Sequence, residues 1–317
     1  MAHVLAISSQ VASGHVGLSA IVPALNALGH QVTALPTIVL SNHPGHPDCA
    51  GFRSDPDELW AMLKALESNG RLAGIDVVLT GYLPKPAHVA FAKFALETTR
   101  QHSPGARYVC DPILGDDPKG LYVAEETAVA IRDNLIPEAD VIVPNRFELA
   151  WLSGQPVTTI AETLSAARSL TVPQVLATSI PCDRGGTDPA LATVLVNNNS
   201  ARATITPTLN KVPHGTGDLL AGLYAAEPGL GRTTARVAHV IAHSLGRPEL
   251  ALVDAIRTWN HVQPQIETRI TDAGEAETIW VAGVDGCKAG WVAVLHPLDQ
   301  PELAEIQICG HFADLLD

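Results

Sequence analysis

The chain has 317 residues, 46% of them hydrophobic and 4% aromatic, which is enough to bury one large core with a small appendage. Its formal charge of −13 at pH 7 excludes a general binder of nucleic acid or acidic membrane, because both need a basic surface to neutralise phosphates. Five cysteines without CxxC spacing predict reduced thiols, and neither a basic leader nor an apolar run of about 18 residues is present, so a cytoplasmic protein without membrane spans is expected.

Residues 3–7 form a short apolar run that predicts a strand. Ser8-Ser9-Gln10 and a loop with Gly14 and Gly17 follow, then helical apolar spacing over 18–28. A second strand starts at 32–35, and Ile38-Val39-Leu40 leads into the polar loop SNHPGHPDCAGF. His43, His46 and Cys49 in that loop are spaced like metal ligands, but with Pro44, Gly45 and Pro47 among them and no fourth ligand nearby they read as a solvated loop. Residues 55–67 predict an amphipathic helix capped by Asp55 with Pro56 in its first turn, and 75–79 a buried strand followed by GYLP at 81–84.

A helix over 86–100 and a strand over 107–110 come next, and Asp111-Pro112 stands where that strand ends. Open α/β sheets bind ligands at the carboxyl ends of their strands, which makes Asp111 a candidate for chemistry; an Asp-Pro turn is the plain alternative. After a helix over 125–135, the strand 141–143 is stopped by Pro144. Asn145 and Glu148, three apart, can share one face of the next helical turn, a spacing that suits a metal–water or phosphate shell. A helix over 159–170 leads to a strand over 174–177 with Thr178-Ser179 at its end, and 192–196 and 201–206 resemble antiparallel edge strands.

The stretch HGTGDLLAGLYAA, residues 214–226, carries the strongest chemical signal. Gly215, Thr216 and Gly217 run directly into an apolar helix, so unpaired backbone N–H groups and the positive end of the dipole converge as an anion site. Asp218 in the first turn is a candidate general base; taken alone, GxGD also fits a tight turn before a helix whose first-turn Asp favours the dipole. Helices over 233–245 and 249–261 complete the pattern, with His239 and His243 on one helix face. Strands alternating with long helices predict a doubly wound, mainly parallel α/β sheet covered on both faces over residues 1–270. An acidic linker over 271–278 and a short partial β-rich tail over 279–317 follow.

Taken in order, SSQVASGHVGLSA, PTIVLSNH, GYLP, CDPILGDDPKGLYV, PNRFELAWLSG and HGTGDLLAG resemble the pyridoxal kinases of the ribokinase superfamily over residues 1 to about 265. The resemblance implies a ribokinase-like fold, a homodimer, and transfer of phosphate from ATP, with Mg2+, to the 5′-hydroxyl of pyridoxal, pyridoxine or pyridoxamine. It leaves a requirement for K+ open. By the same resemblance Asp218 is the base, and the amides of Gly215, Thr216 and Gly217 stabilise the moving phosphoryl group. Asp111, Asn145 and Glu148, with Asp116 nearby, organise the phosphates and the metal waters, Asp111 and Glu148 acting on Mg2+ through water. Thr178 and Ser179 lie on the nucleotide side. Ser9 meets the polar edge of the acceptor ring, Val16 and Leu40 its apolar face, Tyr82 forms an aromatic wall, and His43 lies in the loop that closes over it. Pro44 and Val143 depart from the family pattern, each standing where relatives carry threonine. Hydroxymethylpyrimidine kinase is the neighbouring alternative, but those relatives commonly have cysteine where Asp218 stands; a non-catalytic vitamin B6 carrier would not require Asp218, Asn145 and Glu148 together. The tail, WVAGVDGCKAGWVAVLHP with ELAEIQICGHFADLL, resembles the start of a ribonuclease-H-like family: a hairpin, a third strand and the beginning of a helix, with Asp285 at a first metal carboxylate.

Overall fold

A computed structural model describes residues 1–182, 189–276, 280–287, 290–297 and 305–309, the last three ranges by their backbone. The chain divides into two compact units, Met1–Gly274 and Glu275–Asp317.

The first unit alternates strands and helices. It begins with β1 (His3–Val11), α1 (Leu18–Ala27), β2 (Gln31–Leu40), β3 (Gly51–Arg53), α2 (Pro56–Ser68), β4 (Val77–Thr80), α3 (Pro86–His102) and β5 (Arg107–Cys110). A small ladder of β6 (Gly115–Asp116) and β7 (Gly120–Leu121) precedes α4 (Glu125–Asn134), β8 (Val141–Ile142), α5 (Arg146–Ser153) and α6 (Ile160–Ser169). The unit closes with β9 (Gln174–Cys182), β10 (Ala190–Asn197), β11 (Ser200–Pro207), α7 (Thr216–Ala226), α8 (Leu230–Ser244), α9 (Leu252–Ile256) and β12 (Thr268–Ile270).

Ten strands form one sheet in the order β12-β11-β10-β9-β8-β5-β4-β1-β2-β3. Pairings from β9 through β8, β5, β4 and β1 to β2 are parallel, and both flanks are antiparallel. Strand periodicity sends neighbours to opposite faces: Leu5 and Ile7 join a core with α2 to α6, while Val4 and Ala6 join a second core with α1, α7, α8 and α9. The expected α/β architecture is therefore present, with helices on both sides. The Asp55 cap is also as expected, its carboxylate accepting from the Asp57 N–H at 2.9 Å with Pro56 at the first helical position.

Several boundaries differ from the sequence expectation, each for a physical reason. β1 does not stop at Ile7: the polar run Ser8–Val11 stays paired to β2, and Ser8↔Pro36 followed by Ser9↔Ile38 leaves Thr37 as an extra residue that absorbs the proline. Thr178 and Ser179 do not end a strand. They lie inside β9 at a bulge, with Ser179 at φ 60, because β10 keeps pairing beyond the parallel part. Neither β10 nor β11 is the edge expected: β10 pairs with both β9 and β11, and three residues too few to show periodicity, Thr268–Ile270, return as β12 beside β11. The helix expected over 249–261 is a short α9 followed by a 3-10 turn at Trp259–His261.

Beyond β12, a turn from the Gly274 N–H to the Thr271 carbonyl and an Arg168–Asp272 ion pair at 2.8 Å hold the first residues of the acidic stretch on this unit. A chain ending after Ile266 is expected to aggregate faster on heating and to melt lower than one ending after Gly274, because it opens the β11 edge to other chains. Light scattering during a thermal ramp checks this; equal onset for the two chains would refute it.

The second unit is an antiparallel sheet of β13 (Trp280–Cys287), β14 (Gly290–Pro297) and β15 (Glu305–Cys309), in that order. The helix start expected after residue 310 lies outside the described residues. Among the described residues no helix is long and apolar enough to cross a membrane.

Candidate active site

The carboxyl ends of the parallel strands gather the residues that the motifs single out. Asp111 follows β5, its N–H bonded to the Thr80 carbonyl at 2.9 Å, and Asn145 follows β8 and bridges in parallel to Thr178. The Thr178 N–H donates to the Pro144 carbonyl at 2.9 Å, so the strand ends at 144–145 and the β9 bulge form one continuous rim. This is where open α/β sheets place ligands.

Helix α7 enters the rim with its N-terminus. Gly215 is its N-cap at φ 102 and offers no side chain to the first-turn N–H groups. A Cβ on Gly215 would lie 2.1 Å from the His15 carbonyl oxygen. α1 begins the same way at Gly17, φ 55, where a Cβ would meet the Ser9 carbonyl oxygen at 2.2 Å and Ser9 Oγ at 2.4 Å. Two uncapped helix starts thus face a common region, and only glycine permits the approach. Gly215→Ala is expected to cut turnover by about 10²-fold through displacement of this loop, and to lower the melting temperature through strain of about 1–3 kcal/mol. Steady-state kinetics and thermal melting check it; wild-type turnover in the variant would show the close packing to be dispensable.

Three carboxyl groups share this end of the sheet. Burial pushes the Asp218 carboxyl up to about 6, against hydrogen bonds from the backbone N–H groups of Gly17 and of Asp218 itself. Asp111 is 7% exposed, and burial, then Glu148, then Asp218 raise its carboxyl well above the usual range. Glu148 is 3% exposed and also raised, chiefly by burial.

The Asn145/Glu148 spacing proves to be a reciprocal capping box on α5. Asn145 Oδ1 accepts from the Glu148 N–H at 3.0 Å, and Glu148 Oε2 accepts from the Asn145 N–H at 2.8 Å. Asn145 is the cap, not a member of the helix, so the expected shared helical face is replaced by this mutual bond. Glu148 Oε1 reaches further, accepting from the N–H of Leu114 at 3.0 Å and of Gly115 at 3.5 Å, while Asn145 Nδ2 donates to the Gly115 carbonyl at 2.9 Å. The pair therefore anchors the β6–β7 flap. On that flap Asp116 is exposed and accepts from the Asp117 N–H at 2.8 Å, and Arg146 pairs with Asp117. Among the described residues no group of three or more His, Cys, Asp or Glu side chains could hold a metal ion directly.

Just before the N-cap of α7, His214 is stacked on His43 with ring centroids 3.9 Å apart and planes at 19°. These two rings line a small pocket with His15, Val16, His46 and Glu249. Burial, then the neighbouring His214, His46 and Lys119, lower the His43 imidazole to about 4; burial and Lys119 lower His214. Both rings are thus neutral near pH 7. The structure brings Val16 and His43 together here, while Ser9, Leu40 and Tyr82 stand outside this lining. Ser9 is beside Gly17, Leu40 pairs with Gly51 at the end of β2, and half-buried Tyr82 is fixed by its N–H to Ser8 Oγ at 3.1 Å and its carbonyl from Thr37 Oγ1 at 2.7 Å. His214 and Glu249 were not legible as site residues: the first stands in the glycine motif as a mere neighbour, and the second comes from the α8–α9 connection, which carries no motif.

Comparison with known proteins agrees with this geometry. Residues 13–240 match the phosphomethylpyrimidine kinase family. The pyridoxal kinase PdxY of Leifsonia xyli is 35% identical over 267 residues, spanning 80% of this chain and 93% of the relative, and that of Deinococcus radiodurans is 32% identical over 271 residues, spanning 80% and 91%. Among solved structures, the pyridoxal kinase of Leishmania donovani in complex with ADP and pyridoxine superposes with a TM-score of 0.77 at 28% identity, covering 85% of this chain and 99% of that one. The family match ends at residue 240, and nothing in these relatives supports the ribonuclease-H-like resemblance of the tail. From the sheet order, the glycine-led helix α7 and these matches together, the chain belongs to the ribokinase-like family of pyridoxal and phosphomethylpyrimidine kinases.

Proposed function

We propose that this chain transfers the γ-phosphoryl group of ATP to the 5′-hydroxyl of pyridoxal, with pyridoxine and pyridoxamine as further acceptors. The observation that carries this reading is the N-terminus of α7: Asp218 in its first turn, an uncapped glycine start, and the Gly17 loop packed against it. Curated relatives named pyridoxal kinase support the acceptor, and relatives solved with ADP support the nucleotide. Asp218 takes the proton from the acceptor hydroxyl, whose oxygen then attacks the γ-phosphorus as ADP departs. The N–H groups of Gly215, Thr216 and Gly217 face the charge on the phosphoryl oxygens. Phosphoryl transfer needs chiefly such positioning and charge stabilisation.

Mg2+ belongs to the proposal, and the residues fit it. Asp111 is raised by the neighbouring Glu148 and Asp218 carboxyl groups as well as by burial, none of the three has a Lys or Arg among the causes that shift it, and no hydrogen bond to the Asp111 carboxylate is described. A divalent cation is the charge that lets such groups ionise together. When bound with ATP it neutralises the phosphate oxygens, held through water by Asp111 and Glu148, since Mg2+ commonly keeps several waters and takes one or two carboxylates. Thr178, Ser179 and Asp116 flank the nucleotide in this reading, and Ser9, Val16, Leu40, His43 and Tyr82 the acceptor. Homodimer assembly and a cytoplasmic location complete it, with the K+ requirement left open.

The family's own description, phosphomethylpyrimidine kinase, supports a second reading, phosphorylation of a pyrimidine acceptor such as hydroxymethylpyrimidine or its phosphate. Measuring ADP formation with pyridoxal, pyridoxine and hydroxymethylpyrimidine in parallel decides between them. Pyridoxal is expected to give the highest kcat/KM, and no turnover with it would overturn the proposal.

A further inference from the structure

The loop between β2 and β3 is held mainly to itself. Asn42 Nδ2 donates to the Asp48 carbonyl at 2.9 Å and the His43 carbonyl at 3.2 Å, the His46 N–H donates to the His43 carbonyl at 3.1 Å, and Cys49 Sγ donates to the Asn42 carbonyl at 3.2 Å. The Gly45 N–H donates to His43 Nδ1 at 3.0 Å, which sets the plane of that ring. Every hydrogen bond described for residues 42–48 closes within the 41–50 segment. At its base the loop is tied to the segment before α1, the Ser13 N–H donating to the Ser41 carbonyl at 2.9 Å; beyond that base, residues 42–48 meet the rest of the site through a ring contact, the stack of His43 on His214. The Gly45 backbone packs on the same pair, since a Cβ there would lie 2.9 Å from His43 Nδ1 and 3.3 Å from His214 Nε2.

His214 directly precedes Gly215, whose backbone packs on the His15 carbonyl, so the ring contact joins the β2–β3 loop to a start of α7 that is itself packed on the loop before α1. We infer that His214 is a positioning residue: its imidazole, stacked on His43, docks the 42–50 loop onto the catalytic turn and so closes the acceptor pocket. Such a residue sets how long the acceptor stays under the loop and leaves nucleotide binding to the other rim. Aromatic pairs contribute enough beyond area burial to change the closed population by about 2- to 10-fold. The kinetic part of this inference rests on the proposed acceptor chemistry; the docking part does not.

The test uses the full chain and two independent readouts. First, hydrogen exchange over residues 42–50 is compared, without ligands, in the wild type, His214→Ala, His214→Phe and His43→Ala, with melting temperatures to verify folding. Exchange is expected to quicken by about 2- to 10-fold in both alanine variants and to return to the wild-type rate in His214→Phe, which keeps a flat ring but no ring nitrogen. Second, the KM for pyridoxal is expected to rise by a similar factor in His214→Ala, with the KM for ATP held, and the His43→Ala/His214→Ala double variant is expected to be no worse than either single one. Wild-type exchange of the loop in a folded His214→Ala protein would overturn the inference, as would additive effects in the double variant. Exchange does not require turnover, so a failed kinase reading would leave the docking result standing and be seen separately as absent pyridoxal phosphorylation in the wild type.

Discussion

Asp218→Asn is expected to lower turnover by about 10²- to 10⁴-fold and, at pH 8, to melt at a higher temperature than the wild type. The first effect follows from removal of the base. The second follows from the same burial: the Asp218 carboxyl is raised from 3.8 to about 6 in the folded protein. A group raised on folding favours the native state below its unfolded value, and that contribution is lost as pH rises through the folded value. At pH 8 the wild type therefore carries an ionised, partly buried carboxylate at a cost of at most about 3 kcal/mol, which asparagine removes while keeping an oxygen for the Gly17 N–H. The melting difference is expected to be a few degrees at pH 8 and to vanish toward pH 4. In the wild type, kcat/KM is expected to fall as pH drops through about 6, where the base becomes protonated. Kinetics and thermal melts across pH 4 to 8 check both, and near wild-type turnover of the variant would remove Asp218 from the chemistry.

Glu148→Gln is expected to raise the half-saturating Mg2+ concentration by about 10-fold, and to leave a residual loss of turnover even at saturating metal. The shift in Mg2+ dependence comes from loss of one of the two charges proposed to hold the metal waters. The residual loss comes from the flap: an amide brings its own N–H toward donors at Asn145, Leu114 and Gly115 that now share the two carboxylate oxygens. Titrating turnover against Mg2+ separates the two. An unchanged half-saturation point would assign Glu148 to the flap alone, and complete recovery at high Mg2+ would deny it that anchoring role.

The glycine turn before α7, the Asp55 cap and the strand-to-Asp111 transition were legible because each rests on local backbone chemistry. The alternation of apolar strands with amphipathic helices was enough for the doubly wound sheet. Less legible were features that depend on what lies opposite. β12 has three residues and owes its existence to β11, and the Ser179 bulge owes its existence to a register shift in β10. The spacing of Asn145 and Glu148 could be read, but its use as a capping box depended on where α5 begins. His43 was placed in the acceptor loop by resemblance alone. Its partner His214 lies far away in sequence, and ring stacking has no periodic signature.

The hydrogen bond from the Gly17 N–H to the Asp218 carboxylate makes the loop before α1, which carries Val16 of the proposed acceptor site, and the catalytic helix energetically interdependent. Whatever free energy one substrate contributes to ordering that joint is available to the other, so the two binding equilibria are coupled. Reciprocity then fixes their relation: the factor by which an acceptor tightens nucleotide binding equals the factor by which nucleotide tightens the acceptor, whichever arrives first.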